Sequence, residues 1–411
     1  MDARSLSTLA GFDKTHKKFG LSGRARLLPS RKYHKVYVPY AARREPRPPA
    51  KSSALGKTSC NMKDPNQIAD FRSDTVTLPT PRMYDAMLAA ELGDDWFGED
   101  PTVIRLEQES ARLMGKAAAL LCPSGTMANQ IAVRVHCPMG REVIVEEDSH
   151  IFNHEMGMLA WCAVQPRPIR GPRGAMDPSA LAVRLHRRDH LRPGTGLVCL
   201  ENPHNMAGGA IVPQEDIIAA SRLAHEHGVP VHLDGARLFN VQVATGRPVC
   251  ELAAPVDSVM FCLSKGLGAP IGSLLCGSEA FIDKARIARK FLGGAMRQAG
   301  IIAACGLEAV RPGNVEALAE DHRRARELAR HLTALPHMAL TDPKIETNMF
   351  YLAIGDDAPF DARSLVERAR NAGIRLISPG GNRIRIVCHK DIGEEDVERL
   401  ISFFATGSRA R

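Results

Sequence analysis

Residues 258–266 read SVMFCLSKG. The run from Ser258 is apolar, rich in strand-forming residues and too short for a stable helix, so it predicts a buried strand over residues 258–264. It breaks at Lys265 into a turn rich in glycine (Gly266, Gly268, Gly272). Lysine is almost never buried without a partner or a task. At a strand end in a desolvated turn it is a candidate to form a Schiff base with a carbonyl ligand. Taken alone it reads equally as a surface lysine in a glycine loop.

Working outward, residues 231–240 read VHLDGARLFN. A second buried-looking strand ends in Asp234, then Gly235. In open α/β sheets ligands bind in the crevice beyond the carboxyl ends of the strands. An acid there can pair with a cationic ring nitrogen, or it can merely cap the following helix. Residues 120–128 read LLCPSGTMA. An apolar run there feeds a helix that opens at Ser124. Free N–H groups at a helix N-terminus, with Gly125 and the hydroxyls of Ser124 and Thr126, make an anion cradle. Ser-Gly-Thr before a helix is also an ordinary cap.

The same alternation runs through the middle of the chain. Strands are expected at residues 142–146 (EVIVE), 197–201 (LVCLE) and 230–234 (PVHLD). Helices are expected from Asp100-Pro101, with Asp as N-cap and Pro in the first turn, and over residues 214–228, ending on glycine. The fold class is therefore α/β, a mixed but mostly parallel sheet sandwiched by helices. After residue 312 the pattern changes. Strands near 347–354 and 383–388 with helices over 362–372 and 394–405 predict a smaller C-terminal α+β domain. The expected division is a basic leader over 1–66, a large domain over 67–312 with an N-terminal segment, and a small domain over 313–411.

The chain has 411 residues, 44% hydrophobic and 24% charged, a globular composition that excludes whole-chain disorder. No apolar run reaches membrane-spanning length. Its ten cysteines form no C-x-x-C pair, which argues against a zinc module and a disulfide framework, and no metal site is expected. The net charge of +8 comes from the leader. Residues 1–62 carry 14 Lys+Arg against three acids, leaving the remainder at −3. That Arg-, Pro- and Ser-rich leader reads as disordered. It is a dispensable tail with Met62 as the true start, or a mitochondrial presequence. A nucleic-acid arm is the least favoured of the three readings. The expected compartment is cytoplasmic or mitochondrial, with no membrane or nucleic-acid partner.

Taken together, an anion cradle, then a strand-end Asp, then a strand-end Lys is the chain order of pyridoxal-phosphate enzymes with an aspartate-aminotransferase-like fold (fold type I). More closely, the sequence resembles the L-threonine aldolase family from about Asp70 to Asp396. The resemblance is carried in order by DFRSDTVTLPT (70–80), FGEDPT (97–102), LCPSGTMAN (121–129), SHIFNHEMG (149–157), ENPHNMAGG (201–209), HLDGARLFN (232–240), LSKGLGAPIGS (263–273) and LGGAMRQAG (292–300).

That resemblance implies roles. Lys265 would carry pyridoxal 5'-phosphate as a Schiff base, and Asp234 would keep its ring nitrogen protonated. Ser124, Gly125 and Thr126 would hold its phosphate, helped by Lys290 and Arg297 from a second subunit. His150 would stack over the ring, and Arg237 would reach the ring hydroxyl and the substrate carboxylate. Ser73 and Arg385 would complete the carboxylate site, with Arg383, two residues away on the same face, as a rival for Arg385. The implied reaction is retro-aldol cleavage of L-threonine or L-allo-threonine to glycine and acetaldehyde. His204 is a candidate for the hydroxyl contact or base, directly or through water, with His150 as its rival, and the sequence does not choose between them. The substrate is thus a small amino acid, and shared pockets imply a homodimer or homotetramer. Phe97 stands where the family often has Tyr, and Pro203 where Thr is commoner. On the same scaffold, β-elimination, racemisation or serine hydroxymethyl transfer would use the same lysine, and an inactive binding protein is the alternative of another class.

Overall fold

The computed structural model describes residues 68–407, and the leader lies outside them. The strands are β1 (Ala69–Asp70), β2 (Ala118–Cys122), β3 (Glu142–Glu146), β4 (Gln165–Ile169), β5 (Thr195–Glu201), β6 (Val231–Asp234), β7 (Ser258–Cys262), β8 (Ser273–Gly277), β9 (Met338–Leu340), β10 (Met349–Ile354), β11 (Ile374–Arg375) and β12 (Arg383–Val387). Seven of them form one sheet in the order β2-β8-β7-β6-β5-β3-β4. Pairings from β7 through β6, β5 and β3 to β4 are parallel, while β8 runs antiparallel to both β7 and β2.

The period of two along each strand sorts side chains into separate cores. Ala119 and Leu121 of β2, Ile144 of β3, Val198 of β5 and Phe261 of β7 join one cluster with Leu106 and Met114 of the helix Pro101–Met114. Their neighbours Leu120, Cys122, Met260 and Cys262 join another with Ile131 of the helix Gly125–His136 and Phe281 of Glu279–Phe291. Val143, Val145, Leu197 and Cys199 complete that second face. Apolar side chains on both faces are what a sheet covered by helices on both sides requires.

The expected helix starts are present. Asp100 accepts from the N–H groups of Thr102 and Val103, and Ser124 accepts from Met127 N–H. The helix Gln214–Glu226 ends ahead of Gly228, whose φ is +69°.

A second, three-stranded sheet (β12-β10-β9) is antiparallel and has its own core, including Phe350, Leu352, Ile384, Ile386 and Phe404. The chain's first described strand belongs with this core. β1 pairs in parallel with β11, and Phe71 is fully buried there. Among the described residues no helix is long and apolar enough to cross a membrane.

Candidate active site

The parallel strands all present their carboxyl ends at one edge of the sheet, and those ends carry the charged groups. β3 ends in Glu146, β5 in Glu201 and β6 in Asp234, and Glu201 and Asp234 are register partners. Lys265 follows β7 after a two-residue step. A cavity of about 300 Å³ opens at this edge, lined among others by Ser73, Ser124, Gly125, Thr126, His150, Asp234, Arg237, Lys265 and Arg385. Nine of the twelve residues singled out in the sequence are thus brought together.

On one side lies the anion cradle. The first turn of the helix Gly125–His136 leaves the N–H groups of Gly125 and Thr126 without helical acceptors. A Cβ at Gly125 would lie 2.8 Å from Met260 Cε and 2.9 Å from Cys262 Sγ, so only glycine lets the backbone sit this close to β7. On the floor, Asp234 is 2% exposed. Its Oδ1 accepts from Ala236 N–H at 3.0 Å and its Oδ2 from Asn129 Nδ2 at 2.8 Å.

His150 opens the short helix His150–Asn153, its N–H donating to Glu201 at 2.6 Å. Its Nδ1 lies 3.0 Å from Oε1 of buried Glu155. Burial opposes a charge on this imidazole, but the bond to Glu155 and the nearby charges of Asp234, Glu155 and Glu201 outweigh it and raise its pKa. Burial, with the like charge of Asp234, raises that of Glu155 despite its bonds to His150 and Asn129.

Arg237 is held differently from a free carboxylate fork. Its guanidinium meets Asp74 through two bonds, Nε–Oδ2 at 2.8 Å and Nη2–Oδ1 at 2.6 Å, and both side chains are buried. Burial would raise the Asp74 pKa, but Arg237, with Lys265 and Arg385, holds it well below the usual range. Arg385 reaches the cavity from β12. Its Nη2 donates to Asn205 Oδ1 at 3.0 Å, while its buried Nε meets no acceptor among the described residues. Burial and the neighbouring Arg237 lower its pKa, as expected of a cation awaiting an anion. Arg383 is not on the cavity. It donates to Gly380 O and lies 5.2 Å from the Tyr351 ring centroid.

Three expected residues stand elsewhere. His204 is 1% exposed and lies behind the wall, Nε2 at 2.9 Å from Glu146 and Nδ1 accepting from Ala207 N–H. Both nitrogens of that imidazole are thus engaged in the interior. Lys290 sits 4.7 Å from the centroid of the Trp96 ring, and Arg297 pairs with Asp94 at 2.9 Å. Neither lines the cavity of its own chain.

Asp74, Asn129, Glu155 and Glu201 escaped the sequence reading. Glu201 had a visible signal, since it ends LVCLE as Asp234 ends PVHLD. Asp74, Asn129 and Glu155 meet their partners only through tertiary contacts.

A family model described as beta-eliminating lyase matches residues 70–354. The chain is 44% identical over 340 residues to low-specificity L-threonine aldolase 1 of Arabidopsis thaliana, covering 82% of this chain and 95% of that one. Its fold is similar to that of the threonine aldolase of Leishmania major (TM-score 0.71, 18% identity, 83% of this chain and 99% of that one). It is also similar to SPT solved with its PLP internal aldimine (TM-score 0.65, 18% identity, 83% and 87%). Fold and family match together define a fold-type I, pyridoxal-phosphate-dependent lyase. Within that class, the chain belongs to the L-threonine aldolase family. Its residues fit the cofactor: a helix N-terminus with free N–H groups, a fixed strand-end acid and a lysine all line one cavity.

Proposed function

We propose that this chain cleaves the Cα–Cβ bond of L-threonine, L-allo-threonine and related β-hydroxy-α-amino acids to give glycine and an aldehyde. The observation that carries this reading is the meeting of Lys265, Asp234, the 124–126 cradle and Arg385 in one cavity. When bound, pyridoxal phosphate supplies the sink for the electron pair released from that bond.

The chain's own residues divide the remaining work. Ser124, Gly125 and Thr126 take the phosphate at the positive end of their helix. Asp234 would hold the ring nitrogen's proton through a charge-assisted bond, and Lys265 would anchor the group covalently. Arg237, braced by Asp74, would meet the ring hydroxyl. Arg385 takes the substrate carboxylate with its unengaged Nε, assisted by Ser73, and a guanidinium fork suits that ligand.

Of the two candidate histidines, His150 is the group that takes the hydroxyl proton, because it lines the cavity while both nitrogens of His204 are engaged in the interior. With Nδ1–H donated to Glu155, Nε2 is the free base, and the carboxylate behind it strengthens that base. The proton taken from oxygen is the one needed at Cα of glycine, so the net reaction requires no outside acid. His204 holds Glu146 at the adjacent strand end.

A homodimer or homotetramer is supported by Lys290 and Arg297 lying off their own chain's cavity, and by exposed Phe97, Trp161 and Phe291. The proposed compartment remains cytoplasmic or mitochondrial. The test is to supply L-threonine and L-allo-threonine to the purified protein. Acetaldehyde and glycine in equal amounts are expected. A 2-oxo acid with ammonia, or a racemised amino acid, would overturn the assignment in favour of another reaction on the same scaffold.

A further inference from the structure

Behind Asp234 a row of polar side chains runs through the core between the sheet and the helix Gly125–His136. Asn129 stands at its near end. Its Nδ2 donates to Asp234 Oδ2 and to Glu155 Oε1, each at 2.8 Å. Both amide protons are then used, so Oδ1 must accept, and it faces His232 Nε2 at 3.0 Å. His232 therefore carries its proton on Nε2. Its bare Nδ1 accepts from Ser258 Oγ at 2.9 Å. With that hydroxyl proton spent, Ser258 Oγ accepts from His136 Nε2 at 2.8 Å. His136 stacks on Phe281, ring centroids 4.3 Å apart.

Each proton in the row has one place to be, and every donor points towards the cavity. The arrangement needs both imidazoles neutral. Burial pushes their pKa values down, to about 3 for His232 and about 4 for His136. At the other end two carboxylates converge. Atoms of His150, Glu155 and Asp234 lie within 4.8 Å of one another, and Oε2 of Glu155 is buried with no partner among the described residues. Without a donor between them, two carboxylates this close repel one another.

We propose that Asn129 is a positioning residue that holds the Asp234 carboxylate aimed at the cofactor ring nitrogen, and that the row His136–Ser258–His232 locks its amide in the one orientation that does so. Asn129 also joins Asp234 to the His150–Glu155 pair, so ring nitrogen and base share one hydrogen-bonded frame. This rests on the cofactor reading given above.

The test uses the apoenzyme and the dissociation constant of pyridoxal phosphate, read by fluorescence, beside that of an analogue with CH in place of the ring nitrogen. Wild-type protein that binds neither would sink the cofactor reading itself. Given wild-type binding, Asn129→Leu should weaken pyridoxal phosphate by ~10–100-fold, the worth of one hydrogen bond to a charged group, and leave the analogue nearly unchanged. Ser258→Ala, which frees the amide to turn, should weaken it by ~2–10-fold with the same selectivity. Asn129→Asp keeps the shape and guards against misfolding. It should bind poorly at neutral pH and recover towards about pH 5, where the added carboxyl begins to carry a donating proton. Equal losses for cofactor and analogue, no loss for the cofactor, or an Asn129→Asp defect indifferent to pH would each overturn the proposal.

Discussion

The two sheets serve one cavity by opposite means. The seven-stranded sheet offers its strand ends. Glu146, Glu201, Asp234 and Lys265 come to one edge because parallel strands place their carboxyl termini together, and each follows a stretch buried on both faces. The three-stranded antiparallel sheet offers a strand face. Arg385 projects from the middle of β12, between buried Ile384 and Ile386. On the function proposed above, the larger sheet would bind what must stay fixed, while the smaller one would bring a single cation to what must come and go. Separate apolar cores support the two.

The sharpest way to break this comparison is Lys265→Ala. It should abolish acetaldehyde release and the cofactor's visible absorption in the purified protein. Residual turnover at a useful rate would place the chemistry elsewhere. Next in size, Asp74→Asn removes one charge of a buried pair and strands Arg237. Breaking such pairs costs about 3–5 kcal/mol, measurable as a lower denaturant midpoint in the apoenzyme. Arg385→Leu should raise KM for threonine by ~10–100-fold, from the loss of charge-assisted bonds, while cofactor affinity holds. If it released the cofactor instead, the division of labour between the sheets would be wrong.

A finer probe is the acid limb of kcat/KM, which reports the free enzyme's base. The His150 pKa is raised above its ordinary 6.5, so activity should fall as pH drops through a value above 6.5. Glu155→Gln removes a bond that holds the proton and should move that limb to lower pH. The smallest effect is at Asp321, whose pKa burial pushes up to about 7 from an ordinary 3.8. A raised folded pKa contributes stability below 3.8 that is lost as pH rises towards 7. Asp321→Asn should therefore gain more in melting temperature at pH 8 than at pH 5, and equal gains would show that the carboxyl is not protonated in the fold.

Much of this was legible in the residues. EVIVE matched β3 end to end, and Asp100 and Ser124 marked their helix starts because capping is local chemistry. β4 was not legible. Its sequence QPRPI carries two prolines, which speak against a strand, and it survives at the sheet edge with β3 as its partner. β8 was missed too. SLLCG is short, follows a glycine turn, and gives no sign that it runs antiparallel. The choice between His204 and His150 was not legible, because a histidine in a loop motif looks the same whether it faces substrate or the interior. Only its bond to Glu146, 58 positions earlier, decides.

The sequence by itself determined the alternation of strands and helices, the anion cradle, the strand-end acid and the lysine. Each depends on neighbours a few residues away, through backbone period, capping or a glycine's missing Cβ. Tertiary structure decided which histidine lines the cavity, which arginine keeps an unengaged Nε and which is braced by a carboxylate, and how Asn129 is oriented behind Asp234. Those outcomes depend on partners up to 180 positions apart, as Arg385 is from Asn205, and on how many donors each buried acceptor finds once the chain has closed around it.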